Sequence, residues 1–104
     1  MSQQAPKNYY FVIVKDKTDP DCLSRRLAVR EQHLNDLRIR KEKSYLQVAT
    51  AMVDKDGKMC GSVALYNVDS EQQAREFAES DAYYKNGVWD IDTLVIQQVN
   101  HSKL

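Results

Sequence analysis

Residues 44–68 read SYLQVATAMV, DKDG, KMCGSVALYNV. Two alternating apolar segments, 44–53 and 58–68, flank a four-residue turn. In that turn Asp56-Gly57 supplies the positive-φ positions that tight hairpins favour. A hairpin in the middle of 104 residues limits what the flanking segments can become. On its N-terminal side, YYFVIVKD (9–16) is rich in aromatic and β-branched residues and reads as a first strand. After the turn around Pro20, the pattern from about Cys22 to Lys43 is helical, with Leu23, Leu27, Leu34 and Leu37 three, four and seven residues apart. Beyond the hairpin, DSEQQAREFAES opens a second helix. There Ser70 and Gln73 fit a capping box, and Ala74, Phe77 and Ala78 form the apolar face. DAYYKNG breaks the pattern at Asn86-Gly87, VWDIDTLVIQQV (88–99) reads as a fourth strand, and the polar tail NHSKL as a frayed end. The order is β-α-β-β-α-β, the split βαβ arrangement of ferredoxin-like folds. This predicts an α+β domain, a four-stranded antiparallel sheet with two helices on one face. It spans residues 1–104 as a single unit, ordered from about 9 to 99.

Two helices cover one face of such a sheet, and a sheet wet on the other face alternates cleanly. The first strand does not: Tyr9, Phe11 and Ile13 lie on one side, Tyr10, Val12 and Val14 on the other. The fourth likewise places Trp89, Ile91 and Val95 opposite Val88, Leu94 and Ile96. No spare segment is left to cover the second face, so the strands predict a homodimer with two sheets packed face to face. Equal numbers of basic and acidic residues, fifteen each, give no electrostatic reason to expect nucleic acid or an anionic membrane as partner. No apolar run approaches a membrane span, and MSQQAPKNYY lacks the layout of a signal peptide, which makes the cytoplasm the expected location. Cys22, Cys60, His33 and His101 show none of the close spacings of a zinc site, and no metal or cofactor is expected. Cys22 lies near a helix N-terminus, a setting that can lower a thiol pKa, although an ordinary reduced thiol is the simpler reading.

Three residues do not suit simple packing. On a wheel of about 100° per residue, Arg30 falls in the middle of the leucine stripe and His33 on its edge. A buried arginine cannot lose its proton and demands an anion. In the second helix, the next position in the Ala74, Phe77, Ala78 series is Asp81. Both helices lie on one sheet face, so Arg30, His33 and Asp81 are expected to converge. Tyr83, Tyr84 and Trp89 crowd the same neighbourhood; the tyrosines can wall a pocket, whereas Trp89 suits the core. Each of the three also has a purely structural explanation. Arg30 can snorkel past the leucines, His33 can be a half-buried polar residue, and Asp81 can cap the segment that follows it.

Arg30 and His33 as an R-x-x-H pair, the hairpin DGKMCGS with Asp56, Gly57, Gly61 and Ser62, and SDAYYKNGVW with Asp81, Tyr83 and Gly87 together resemble the YCII-related family. The resemblance covers about Tyr9 to Val99. It implies a dimeric α+β barrel and a small cofactor-free enzyme with a histidine–aspartate pair in a cleft, related to a chlorohydroquinone dehydrochlorinase and to muconolactone isomerases. Carried onto this sequence, the catalytic pair is His33 and Asp81, with Arg30, Thr50, Tyr83 and Tyr84 at the small-molecule ligand. Two departures stand out: Ala82 follows Asp81 where the family has proline, and Ala49-Thr50-Ala51 replaces Ala-Gly-Pro. The second puts the Thr50 side chain where backbone otherwise approaches a ligand. The resulting expectation is a lyase or isomerase acting on a small oxygenated or aromatic anion. His33 is its general base or acid, Asp81 orients the imidazole, and Arg30 binds a carboxylate or enolate oxygen. The alternatives are a non-catalytic small-molecule-binding accessory protein on the same scaffold, or an internal Arg30–Asp81 salt bridge with His33 incidental.

Overall fold

A computed structural model describes residues 8–101; the last three residues of the tail and the first seven of the chain lie outside it. Strands β1 (Asn8–Lys15), β2 (Leu46–Val53), β3 (Met59–Val68) and β4 (Val95–Val99) form one antiparallel sheet in the order β2-β3-β1-β4. Helices α1 (Cys22–Ala28), α2 (Arg30–Glu42), α3 (Glu71–Glu79) and α4 (Ala82–Lys85) supply the second layer. This is the ferredoxin-like α+β topology that the segment order predicts.

The turn chemistry follows the sequence at the glycines but not at Asp56, expected to share the positive φ of the hairpin. Gly57 takes φ +79° in the hairpin, and Asp56 needs no positive φ; the Asp54 carboxylate accepts from the backbone of Asp56 and Lys58 instead. Ser70 Oγ accepts from the Gln73 amide at 3.2 Å, and Gln73 Oε1 accepts from the Asp69 amide at 2.8 Å, so the capping box closes one residue early. Gly87 ends α4 at φ +70°. Gly61 has a different reason to be glycine. A Cβ there would meet the Met52 side chain and lie 2.5 Å from the Val14 carbonyl oxygen. Gly61→Ala is therefore expected to destabilise the protein by about 1–3 kcal/mol through overpacking, read as a lowered midpoint in urea unfolding.

Tyr10, Val12 and Val14 point into the helix layer and form the core with Tyr66, Val68 and Ala74. The register puts Tyr9, Phe11 and Ile13 on the opposite face beside Val63 and Leu65. Among the described residues no element covers that face.

Three expectations need correction. The helix from Cys22 to Lys43 is two helices, broken at Val29 (φ −113°, ψ 10°). Its buried stripe is not the leucine stripe: Leu23 and Leu27 are 54% and 56% exposed, while Cys22 and Arg26 are 5% and 3% exposed. The inward face lies about 80° round the wheel from Leu23. It takes in Cys22, Arg26, His33 and Arg40, while Leu34 and Leu37 are half-buried. Finally, β4 begins at Val95, not at Val88. Val88 and Trp89 are both buried at the end of the core, where Trp89 makes a single bridge to Asp16. Residues 91–93 form a 3-10 turn capped by the Asp90 side chain, so strand alternation does not govern 88–94.

Candidate active site

The helix-facing side of β2 and β3 carries small residues at its centre. Register pairs Ala49 with Ala64 and Ala51 with Ser62. Small side chains there leave space beneath α2, and a cavity of about 180 Å³ lies between the helices and the sheet. Arg26, Arg30, His33, Asp81, Tyr83 and Trp89 supply most of its polar and aromatic wall, and Val12, Leu34 and Leu37 much of the apolar remainder.

His33 and Asp81 meet. Imidazole Nδ1 and Asp81 Oδ1 are 2.8 Å apart. A carboxylate can only accept, so the shared proton belongs to Nδ1 and leaves Nε2 as the nitrogen open to a ligand. The Asp81 carboxylate is itself fixed from two further sides. Its Oδ1 accepts from the Tyr83 amide at 2.8 Å, as the N-cap of α4, and Oδ2 lies 3.6 Å from Arg40 Nη1. Capping and pairing, alternatives when read from sequence, are thus performed by one carboxylate. The imidazole is held a second way, stacked on the Tyr83 ring with centroids 3.8 Å apart and planes 11° from parallel.

Arg26 and Arg40, which the leucine stripe concealed, frame the pair. Arg26 on α1, and His33 and Arg40 on α2, are spaced by seven; the break at Val29 separates the first two, and the step from His33 to Arg40 is two turns of α2, about 10 Å along its axis. Tyr83 fills the first interval: the Arg26 guanidinium lies 4.6 Å from its ring centroid, and Trp89 meets the ring edge-on. Arg26 is neutralised by Asp16, whose two oxygens accept from Nη1 at 2.8 and 2.7 Å. Burial pushes the Asp16 carboxyl above its ordinary value, offset in part by the Arg26 charge. Arg40 donates to the Tyr66 hydroxyl at 3.0 Å and to Ser80 Oγ at 2.8 Å, and lies over Phe77. Burial raises the hydroxyl pKa of both Tyr66 and Tyr83, so both hydroxyls keep their protons at neutral pH. The seven-residue spacing of Arg26, His33 and Arg40 was the available signal for the two arginines.

The other expected residues distribute unevenly. Arg30 lines the cavity but is exposed, and no carboxylate lies within salt-bridge distance of it among the described residues. An Arg30–Asp81 ion pair is therefore not the organising contact; His33 and Arg40 hold Asp81. Thr50 touches the cavity, yet it pairs with Val63 on the face turned away from the helices. The residues that the Ala-Thr-Ala segment presents to the helix side are Ala49 and Ala51. Tyr84 packs against the core and is not part of the cavity wall. Cys22 is buried with Sγ donating to the Val88 carbonyl at 3.3 Å, and burial raises its pKa, opposite to the activation that a helix N-terminus can give. Among the described residues no group of three or more His, Cys, Asp or Glu is placed to hold a metal ion, and no helix is long and apolar enough to cross a membrane.

A βαββαβ domain with a polar-walled cavity between helix layer and sheet belongs to the ferredoxin-like α+β class. Within that class the chain belongs to the YCII-related domain family, whose model matches residues 9–95. It is 32% identical to an uncharacterized protein of Haemophilus influenzae, across 78% of this chain and 87% of that one. Its fold is similar to that of 5-chloro-2-hydroxyhydroquinone dehydrochlorinase from Burkholderia phenoliruptrix, solved in complex with 2,5-dihydroxybenzoquinone. The TM-score is 0.75 at 22% identity, covering 90% of this chain and 95% of the other.

Proposed function

We propose that the protein is a cofactor-free lyase or isomerase of the cytoplasm that moves a proton on a small oxygenated or aromatic anion. The observation that carries this reading is the 2.8 Å contact between His33 Nδ1 and a buried Asp81 at the wall of a cavity. That contact fixes the imidazole and leaves Nε2 for a ligand. His33 removes a proton from a carbon or hydroxyl of the bound molecule. Asp81 stabilises the imidazolium formed, and the proton is returned to another position or accompanies loss of a leaving group. Arg30 attracts the anion at the cavity rim, and Tyr83 is a hydrogen-bond donor within it. The dehydrochlorinase of like fold acts on a hydroxylated aromatic ring, which makes chlorinated hydroquinones the first substrates to try; the family's resemblance to muconolactone isomerases adds unsaturated lactones. The test is incubation with such a panel in deuterium oxide, following deuterium incorporation by mass spectrometry and chloride release. Enzyme-dependent exchange or elimination is expected with at least one member. A molecule that saturates the cavity yet returns with neither deuterium nor lost chloride would assign the scaffold to binding alone.

The uncovered sheet face supports a homodimer. Val48 and Val95 are 54% and 49% exposed there, in register with the apolar row of β1 and β3. Sedimentation equilibrium is expected to give a dimer for the natural chain and a monomer for Ile13→Asp, whose charge would be buried at the seam. A monomeric natural chain at all concentrations rejects the pairing.

A further inference from the structure

We infer that the natural ligand carries a carboxylate, and that the buried Arg26 grips it together with Arg30. This rests on the cavity being the ligand site and names the chemical class it selects.

Both Asp16 contacts are made through one nitrogen, Nη1 of Arg26. Nε of the same guanidinium is buried and has no acceptor. Buried donors without partners are uncommon in folded proteins and call for a cause. A guanidinium bound at Nη1 leaves its Nε–Nη2 edge free. That edge carries two parallel N–H bonds, the geometry that matches the two oxygens of a carboxylate. Arg26 borders the cavity, while Asp16 is not among the residues lining it. Arg26 is thus shared between its structural counter-ion and the cavity wall.

Arg30, one helical turn further on, borders the same space without a carboxylate partner among the described residues. Of the three basic side chains in the wall, His33 is matched by Asp81 and Arg26 by Asp16. Among the described residues of the wall, Arg30 alone is an unmatched charge. A single entering carboxylate supplies the missing acceptor for Arg26 and the missing charge for Arg30. A neutral phenol or quinone supplies no charge. Tyr83 and Trp89 in the same wall favour a flat frame beneath that carboxylate.

Calorimetric titration with 4-hydroxybenzoate and 4-hydroxybenzamide tests this, because the two have nearly the same shape and differ in charge. The natural protein is expected to bind the carboxylate at least about tenfold more tightly, the worth of one charge-assisted hydrogen bond. Arg26→Lys keeps a cation beside Asp16 but removes the forked edge, and should reduce that preference about tenfold. Asp16→Asn with Arg26→Gln replaces the ion pair by an amide pair. It should show the same loss and serves if the lysine variant does not fold. Equal affinity for the two compounds, absence of binding by both, or a preference unchanged in a folded variant overturns the inference. Binding needs no proton transfer. If the preference is absent while His33-dependent turnover stands, this inference alone fails; if the preference is present without turnover, the catalytic reading fails.

Discussion

His33→Ala is expected to reduce turnover by about 10²–10⁴-fold, the usual contribution of a positioned general acid or base. The fold should survive, since His33 lies at the cavity wall and the core cluster does not include it. The loss of stacking on Tyr83 should cost no more than about 0.5–1.5 kcal/mol. A loss of activity caused by unfolding would therefore appear in the melting curve, and a catalytic loss would not. Asp81→Asn separates the two roles of the carboxylate. Asparagine still offers an oxygen to His33 Nδ1 and to the Tyr83 amide, and it is a good N-cap, so α4 should remain capped. What disappears is the negative charge that stabilises the imidazolium. Turnover should fall strongly, and Tm should fall as well because the buried Arg40 loses the carboxylate 3.6 Å from it; activity per folded molecule isolates the catalytic part. Full activity in His33→Ala removes the histidine from the mechanism. Full activity in Asp81→Asn leaves the aspartate with a capping role only.

That the pair was readable at all follows from where the chain breaks its own rules. Asp81 interrupts the apolar series of α3 at the point where the helix must end, and His33 lies on the helix that faces it. Topology then brings them together. The hairpin, the capping box and the glycine turns were equally legible, because their causes are local. The inward face of α1 was not. Hydropathy reads Leu23 and Leu27 as core and Arg26 as surface, but the opposing sheet decides otherwise. Ala49, Ala51, Ser62 and Ala64 leave a volume that long cationic side chains reach into from the helix. The two buried arginines each find an anion and an aromatic ring on other elements: Arg26 finds Asp16 and Tyr83, and Arg40 finds Asp81, Phe77 and Tyr66. Nothing at positions 22–40 announces those partners except the seven-residue spacing. Thr50 borders the cavity from the sheet face turned away from the helices for a related reason. Pairing of β2 with β3 settles which face each side chain takes, and a one-residue shift reverses it. The segment 88–94 deviates from a strand because Asp90 caps a 3-10 turn there, which alternation of apolar residues cannot foresee.

Asp16→Ala is expected to be the most damaging single change outside the cavity wall. Arg26 and Asp16 are 4% and 9% exposed in their side chains. Alanine at 16 leaves a permanent cation buried without its counter-ion. Breaking a buried pair from one side typically costs about 3–5 kcal/mol, which for a domain of this size lowers Tm by more than about 10 °C. The pair itself need not be a large net gain, because burial opposes ionisation of Asp16 strongly enough to raise its pKa despite the adjacent guanidinium. The two statements predict different outcomes for single and double replacements. Asp16→Leu combined with Arg26→Met removes both charges while keeping similar volume, and should recover most of the stability that Asp16→Ala loses. A thermal-melt double-mutant cycle checks this. If the double variant is as unstable as the single one, the pair stabilises the fold directly. If it recovers stability but loses the carboxylate preference, the ion pair is retained for the ligand, holding a guanidinium beside a cavity that burial alone would not keep there.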